Sequence, residues 1–247
     1  RVFKCAFIYV VSVGLVAAVL TFAFAPALVK EQPNAILSLQ ILAPTIFLSG
    51  FLAIYRGYLQ AYKTMIPTSI SQIIEQIANA VVSVLAAYLM SRPFVPGTSE
   101  HAKYGAAGSA MGTGAGVLCG IIYILIAYAG RRKEIMETVE SDVSSNIESY
   151  GKLFRQIVMI VTPIIIAAFV YNITTTVDMK IFYNVLNSKN VDRVESANLY
   201  GIFSGQYMVL INLPVSIASA VGTTLIPNIS GAFTKGCLLY TSPSPRD

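Results

Sequence analysis

The sequence predicts an all-α fold, a polytopic transmembrane helix bundle, and three observations predict it. Hydrophobic residues make up 55% of the 247 and charged residues 12%. Soluble domains carry roughly 25% charged residues, about twice that share, and mean hydropathy here is +0.66. Apolar runs of membrane-crossing length follow one another with short polar breaks, where a bilayer core asks for about 20 apolar residues per helix. Finally, the polar residues within 44–90 fall at helical spacing in narrow stripes on otherwise greasy helices. That inverts a water-facing amphipathic helix and suits a helix in lipid whose polar side faces a bundle interior or a wet cavity.

The first span covers 3–29, FKCAFIYVVSVGLVAAVLTFAFAPALV, and a short polar turn with Pro33 follows it. The second, 35–62, is expected to be interrupted at Pro44, because a proline in a membrane helix frees a carbonyl and usually kinks it. Arg56, Gln60 and Lys63 lie at i, i+4 and i+7 on it and share one stripe. A tight loop leads to the third span, 67–90, which opens at Pro67, a residue suited to a first helical turn. Gln72, Glu75, Gln76, Asn79 and Ser83 are expected to share one face of it. The second and third spans therefore read as a hairpin around which the rest is organised.

A Pro/Gly loop over 91–103 precedes the fourth span, 104–129, whose first half is YGAAGSAMGTGAGVLCG. So many glycines would weaken a helix in water by roughly 1 kcal/mol each. In lipid they let neighbouring helices approach closely. A phosphate-binding glycine loop is rejected, since the Lys-Ser/Thr ending and a preceding strand are missing. Residues 130–150, GRRKEIMETVESDVSSNIESY, form the one long polar stretch, a solvated linker with room for a short surface helix. The fifth span, 151–186, contains Pro163 and, further on, Asn172, three threonines and Asp178. The sixth lies within 197–235, broken by Pro214 and Pro227, and carries Gln206 and Asn212.

Charge and cysteine content narrow the function. The net charge of +5 sits in short loops between apolar runs, without the clustered basic and stacking residues of a nucleic-acid site. Cys5 and Cys119 lie in apolar runs and read as small hydrophobes, with no metal spacing and no evident disulfide. His101 stands alone in a loop, and no hydrolytic or group-transfer constellation is present, so an enzyme is not expected. Alternating the loops puts Arg1, Lys4, Arg56, Lys63, Arg131, Arg132, Lys133, Lys152, Arg155 and Lys235 on one side. The other side receives Lys30, Arg92, Lys103, Lys180, Lys189 and Arg193. The richer side is expected to be cytoplasmic, so the first span runs inside to outside. No signal peptide is visible before the first span.

Three stretches carry a family resemblance. RGYLQAYKTMIPTSISQIIEQIANAV is similar to the fourth-to-fifth helix hairpin of bacterial polysaccharide-biosynthesis flippases. These belong to the multidrug/oligosaccharidyl-lipid/polysaccharide exporter superfamily and include lipid II flippase-like and stage V sporulation protein B-like branches. ANLYGIFSGQYMVLINLPVSIASAVGTTLIPNISGAF resembles that family's eighth helix, and RVFKCAFIYVVSVGLVAAVL its third. The resemblance runs from Arg1 to about Gly236. It implies two six-helix lobes facing a central cavity in a bacterial plasma membrane. On that map 1–129 is part of the N-terminal lobe (helices three to six), 130–150 a cytoplasmic inter-lobe linker, and 151–236 the start of the C-terminal lobe. The remaining helices of the same protein would be its partners, and this piece alone is not expected to transport. The tail, Cys237–Asp247, matches the in-frame translation of a sequencing adapter. It is expected to be a library scar that packs against nothing.

The resemblance implies alternating access for an undecaprenyl-pyrophosphate-linked oligosaccharide or a lipid II-like precursor. No cofactor is implied beyond coupling to H⁺, Na⁺ or the membrane potential. Arg56 would contact pyrophosphate, since guanidinium bonds phosphate oxygens in a fork. Gln60, Gln72, Gln76, Asn79, Asn172 and Asn212 would contact sugar or polar groups. Glu75 and Asp178 would take a coupling cation or form ion pairs. Plainer readings stand beside these: Arg56 and Lys63 as snorkelling cations at a helix end, the Gln/Asn stripe as interhelical glue, and Asp178 as a local partner of Lys180. A cation-coupled multidrug antiporter and a non-transporting scaffold are the competing functions. A carboxylate such as Glu75 within a span costs a few kcal/mol unless paired, wet or protonated. It is therefore expected to face the inter-lobe cavity rather than lipid.

Overall fold

A computed structural model describes residues 1–29, 33–62, 65–140 and 149–234. The loop lysine Lys63 and the tail Cys237–Asp247 lie outside the described residues. The helices are α1 (Val2–Leu28), α2 (Ile36–Ala61), α3 (Ile66–Ser91), α4 (Ser99–Glu140), α5 (Tyr150–Ser188), α6 (Arg193–Ile202) and α7 (Met208–Thr234). A 3-10 turn, Pro33–Ala35, leads into α2, and a π-helical turn, Phe203–Tyr207, joins α6 to α7 without a break. Six helical stretches, with α6 to α7 taken as one, are long and apolar enough to cross a membrane.

Pro67 sits in the first turn of α3, where its missing N–H costs nothing. The expected interruptions do not occur. α2 runs through Pro44 and α7 continues across Pro214 and Pro227; α5, where no interruption is expected, likewise runs through Pro163. A membrane helix tolerates proline where neighbouring helices, Ser/Thr side chains or small local adjustments re-satisfy the freed carbonyl. The irregularity falls at the π turn, FSGQY, which contains no proline. Beyond residue 129, α4 continues to Glu140, through Arg, Lys, Glu and Met, which are good helix formers. A linker with a short separate helix is thus replaced, up to Glu140, by an extension of the span itself.

The chain divides into two compact units, Arg1–Phe154 and Arg155–Asp247. In the first, α4 packs along both α2 and α3, while α1 packs on α2. The order across the unit is therefore α1, α2, α4, α3. The two arms read as a hairpin hardly touch, because α4 lies between them over most of their length. The core forms where α2 meets α4: Leu52, Leu59, Val117, Ile121 and Ile124 are buried there. At one end of the unit the aromatic rings of Phe3, Tyr55, Tyr58 and Tyr128 meet edge to face. At the other, Asn34 and Ser99 exchange side-chain hydrogen bonds of 2.7 and 3.0 Å, and Phe94 stacks on Tyr104.

The α3–α4 contact has a simple sequence basis. Gly108, Gly112, Gly116 and Gly120 recur every four residues, so they form one strip along α4. A Cβ on Gly108 would fall against the Ala86 carbonyl, and one on Gly112 against the Ser83 backbone. On Gly116 it would lie 2.6 Å from the Glu75 carbonyl oxygen. At Gly108, Gly112 and Gly116 the strip thus brings the α3 backbone close to α4, with only the short Ser83 and Asn79 side chains beside it, the close approach expected of small residues in lipid.

In the second unit, Ser196 is the only buried residue among those described. The rings of Phe182, Tyr183, Tyr200 and Phe203 cluster where the end of α5 meets α6 and the π turn. The remaining faces of α5 and α7 are largely apolar and exposed.

Candidate functional site

The polar groups of the first unit converge where α2, α3 and α4 meet. Arg56 lies near the C-terminal end of α2, Ser71 and Glu75 one turn apart near the start of α3, and Gly120 in the middle of α4. Arg56 Nη2 donates to Glu75 Oε2 at 2.7 Å. Its Nε and Nη2 donate to Ser71 Oγ at 3.2 and 2.8 Å. The Ser71 hydroxyl donates in turn to the Gly120 carbonyl at 3.3 Å. Ser71 thereby accepts twice and donates once, the full capacity of a hydroxyl. The charged side chains are 15% and 19% exposed, so both are largely withdrawn from the surface. A Cβ on Gly120 would sit 3.1 Å from Leu52 Cδ2 and 3.4 Å from Arg56 Nη2. The bare glycine makes the space in which the guanidinium lies.

The guanidinium is only partly used. Its side-on edge, Nε and Nη2, is taken by Ser71. Its end-on edge, Nη1 and Nη2, meets one carboxylate oxygen. Among the described residues neither Nη1 nor Glu75 Oε1 has a hydrogen-bond partner. Guanidinium and carboxylate frequently pair through two parallel bonds, so this pair is half made. Within spans such a pair offsets part of the cost of burying a charge, which for either group alone would be a few kcal/mol.

The expected single stripe of α3 divides in two. Ser71, Glu75, Asn79 and Ser83 form a row spaced by four that runs along the glycine strip of α4. Asn79 Oδ1 accepts from the Ser83 hydroxyl at 2.9 Å, and the same hydroxyl lies 2.9 Å from the Ser109 carbonyl. Gln72 and Gln76 are instead exposed, at the flank of that row. Gln60 is half-buried on α2. The second unit holds the remaining candidates. Asn172 is exposed and donates to Ala168 O at 2.7 Å, within its own helix. Asn212 is half-buried, and its carbonyl accepts from Ser216 at 2.8 Å. Asp178 is exposed and forms no ion pair with Lys180 among the described residues, since residues two apart on a helix do not face each other.

Ser71, which bridges Arg56 to α4, is not among the candidates the sequence offers. Its signal is the four-residue spacing it shares with Glu75, Asn79 and Ser83, mirrored by the glycines of α4.

A family model described as "Polysaccharide biosynthesis protein" matches residues 2–233. The chain belongs to that family. Two curated relatives come from Bacillus subtilis (strain 168). The protein named lipid II flippase MurJ is 24% identical over 185 residues, covering 75% of this chain and 33% of the relative. Stage V sporulation protein B is 24% identical over 210 residues, 84% of this chain and 39% of the relative. The chain thus spans 33% and 39% of the length of these two relatives. No solved structure matches it. With six helices able to cross a membrane, this polysaccharide biosynthesis family member is a multi-pass bacterial membrane protein. Its matched region, 2–233, takes in the whole Arg56–Ser71–Glu75–Gly120 junction.

Proposed function

We propose that the protein containing this chain is a flippase that moves a lipid-linked, phosphate-bearing saccharide precursor across the bacterial plasma membrane by alternating access. The observation that carries this reading is the Arg56 guanidinium, held at the meeting of three membrane helices with half of its end-on edge unused. Guanidinium suits phosphate oxygens in that planar, two-point geometry. The family membership and the likeness to the relative named lipid II flippase support it. In this reading residues 1–129 belong to one lobe, 130–150 lead to the second on the cytoplasmic side, and 151–236 begin that second lobe. Arg56 takes the phosphate, and Gln60, Gln72, Gln76 and Asn79 offer amides to the sugar. Asp178 is the candidate for a coupling cation in this reading.

The test uses the whole protein. Depleting it should leave lipid-linked precursor on the cytoplasmic leaflet, and the wild-type gene, but not an Arg56→Ala variant, should restore its export. If depletion instead abolishes efflux of cationic drugs and leaves precursor export intact, the protein is an antiporter of the wider superfamily. If neither process changes, the scaffold reading replaces both.

A further inference from the structure

We infer that Glu75 is an internal stand-in for the substrate's anionic group: it occupies Arg56 when no ligand is bound and is displaced by an incoming phosphate. The inference rests on the reading of Arg56 as an anion contact and adds to it the competitor that the anion must remove.

The two edges of the guanidinium are held very differently. The side-on edge is fixed on Ser71, at 3.2 and 2.8 Å, and Ser71 is tied at 3.3 Å to the α4 backbone. Two helices therefore set the plane of the guanidinium, whatever happens at the other edge. The end-on edge holds Glu75 through a single oxygen at 2.7 Å, with Nη1 and Oε1 unmatched among the described residues. A phosphoryl group would use Nη1 and Nη2 together, so it can outbid a carboxylate that uses only Nη2. The exchange replaces one anion by another and leaves no bare guanidinium at membrane depth, where an unpaired charge is costly. The released carboxylate also has room to move. Its side chain is 19% exposed, and Gln72, three residues earlier on the same helix, is exposed and carries amide donors. Ser71 keeps Arg56 aimed throughout, so the site does not collapse between ligands.

The experiment titrates the full-length protein, in nanodiscs of neutral lipid, with a polyprenyl pyrophosphate and separately with inorganic pyrophosphate. Glu75→Gln keeps the shape of the side chain and removes its charge. Losing a charge-assisted competitor in favour of a neutral one should tighten binding about tenfold. Glu75→Asp keeps the charge but shortens the reach, and should tighten binding by a smaller factor. It also serves as the second variant if the Gln protein does not insert. Arg56→Ala should abolish binding. Unchanged or weaker binding in both Glu75 variants, with Arg56→Ala still dead, overturns the stand-in and leaves the anion reading of Arg56 intact. Full binding by Arg56→Ala overturns that reading, and the stand-in with it. Tightening seen with inorganic pyrophosphate as well as with the lipid supports the exchange and assigns it to the phosphate alone. Tightening confined to the polyprenyl form supports the exchange and adds the tail as a required element.

Discussion

Replacing Gly116 with alanine should separate α3 from α4 and break the Arg56–Glu75 pair, although Gly116 touches neither charged group. Its new Cβ would stand 2.6 Å from the Glu75 carbonyl oxygen and 3.0 Å from Asn79 Cβ. Ordinary van der Waals contact begins near 3.4 Å, and the nearest obstacle is backbone. The helices must therefore part by about 0.8 Å at this level, or α3 must bend. A shift of that size at Glu75 carries its 2.7 Å contact with Arg56 to the edge of hydrogen-bonding range. Overpacking of this kind costs roughly 1–3 kcal/mol. Losing the interhelical polar contact adds about 0.6–2 kcal/mol, for an expected total of about 2–4 kcal/mol if part of the strain is relieved by the shift. The same glycine-to-alanine change at Gly57 on α2 provides the internal control, because a Cβ there meets nothing within 4 Å. Unfolding free energies from denaturing-detergent titrations of the full-length protein would be compared across wild type, Gly116→Ala and Gly57→Ala. If Gly116→Ala unfolds at the same detergent fraction as the control, the close backbone approach of α3 and α4 is not what holds this unit together.

The other expectations concern the same junction and the topology. Arg56→Ala should destabilise the protein by roughly 1–3 kcal/mol, below the 3–5 kcal/mol of a fully buried pair because both side chains keep some exposure. Adding Glu75→Ala should recover part of that loss in a double-mutant cycle, and strict additivity would mean the pair contributes nothing. Ser71→Ala removes the acceptor of two Arg56 donors and the donor to Gly120, at an expected cost of about 1–2 kcal/mol in the same detergent assay. A loss below the scatter of that assay would mean Arg56 finds another acceptor. For topology, the density of Lys and Arg predicts residue 63 inside and residue 96 outside. Cysteines introduced at Lys63 and Pro96 of the full-length protein should be protected from and labelled by an impermeant thiol reagent in intact cells, respectively. The reverse pattern would invert every span.

The sequence alone determined the class and the number of spans, because a 30 Å apolar slab imposes a length and composition that each run satisfies independently of its neighbours. It also placed Pro67 at a helix start and marked the glycines as sites of close approach, since both properties are local. Tertiary structure decided which helices are neighbours. Adjacent apolar spans carry no signal of who packs against whom, because lipid tails and leucine side chains are equally apolar and exert no preference between them. For that reason α2 and α3 read as a packed hairpin, while the fold inserts α4 between them. The division of the α3 stripe follows from this. Helical spacing placed Gln72, Glu75, Gln76, Asn79 and Ser83 within one broad arc, but only the position of α4 selects Glu75, Asn79 and Ser83 for its surface and leaves Gln72 and Gln76 exposed. Partner choice was equally out of reach: a lone Arg56 on one helix and a lone Glu75 on another say that each needs a counter-charge. Only the meeting of α2, α3 and α4 shows that they supply it to each other, with Ser71 as the brace and Gly120 as the clearance.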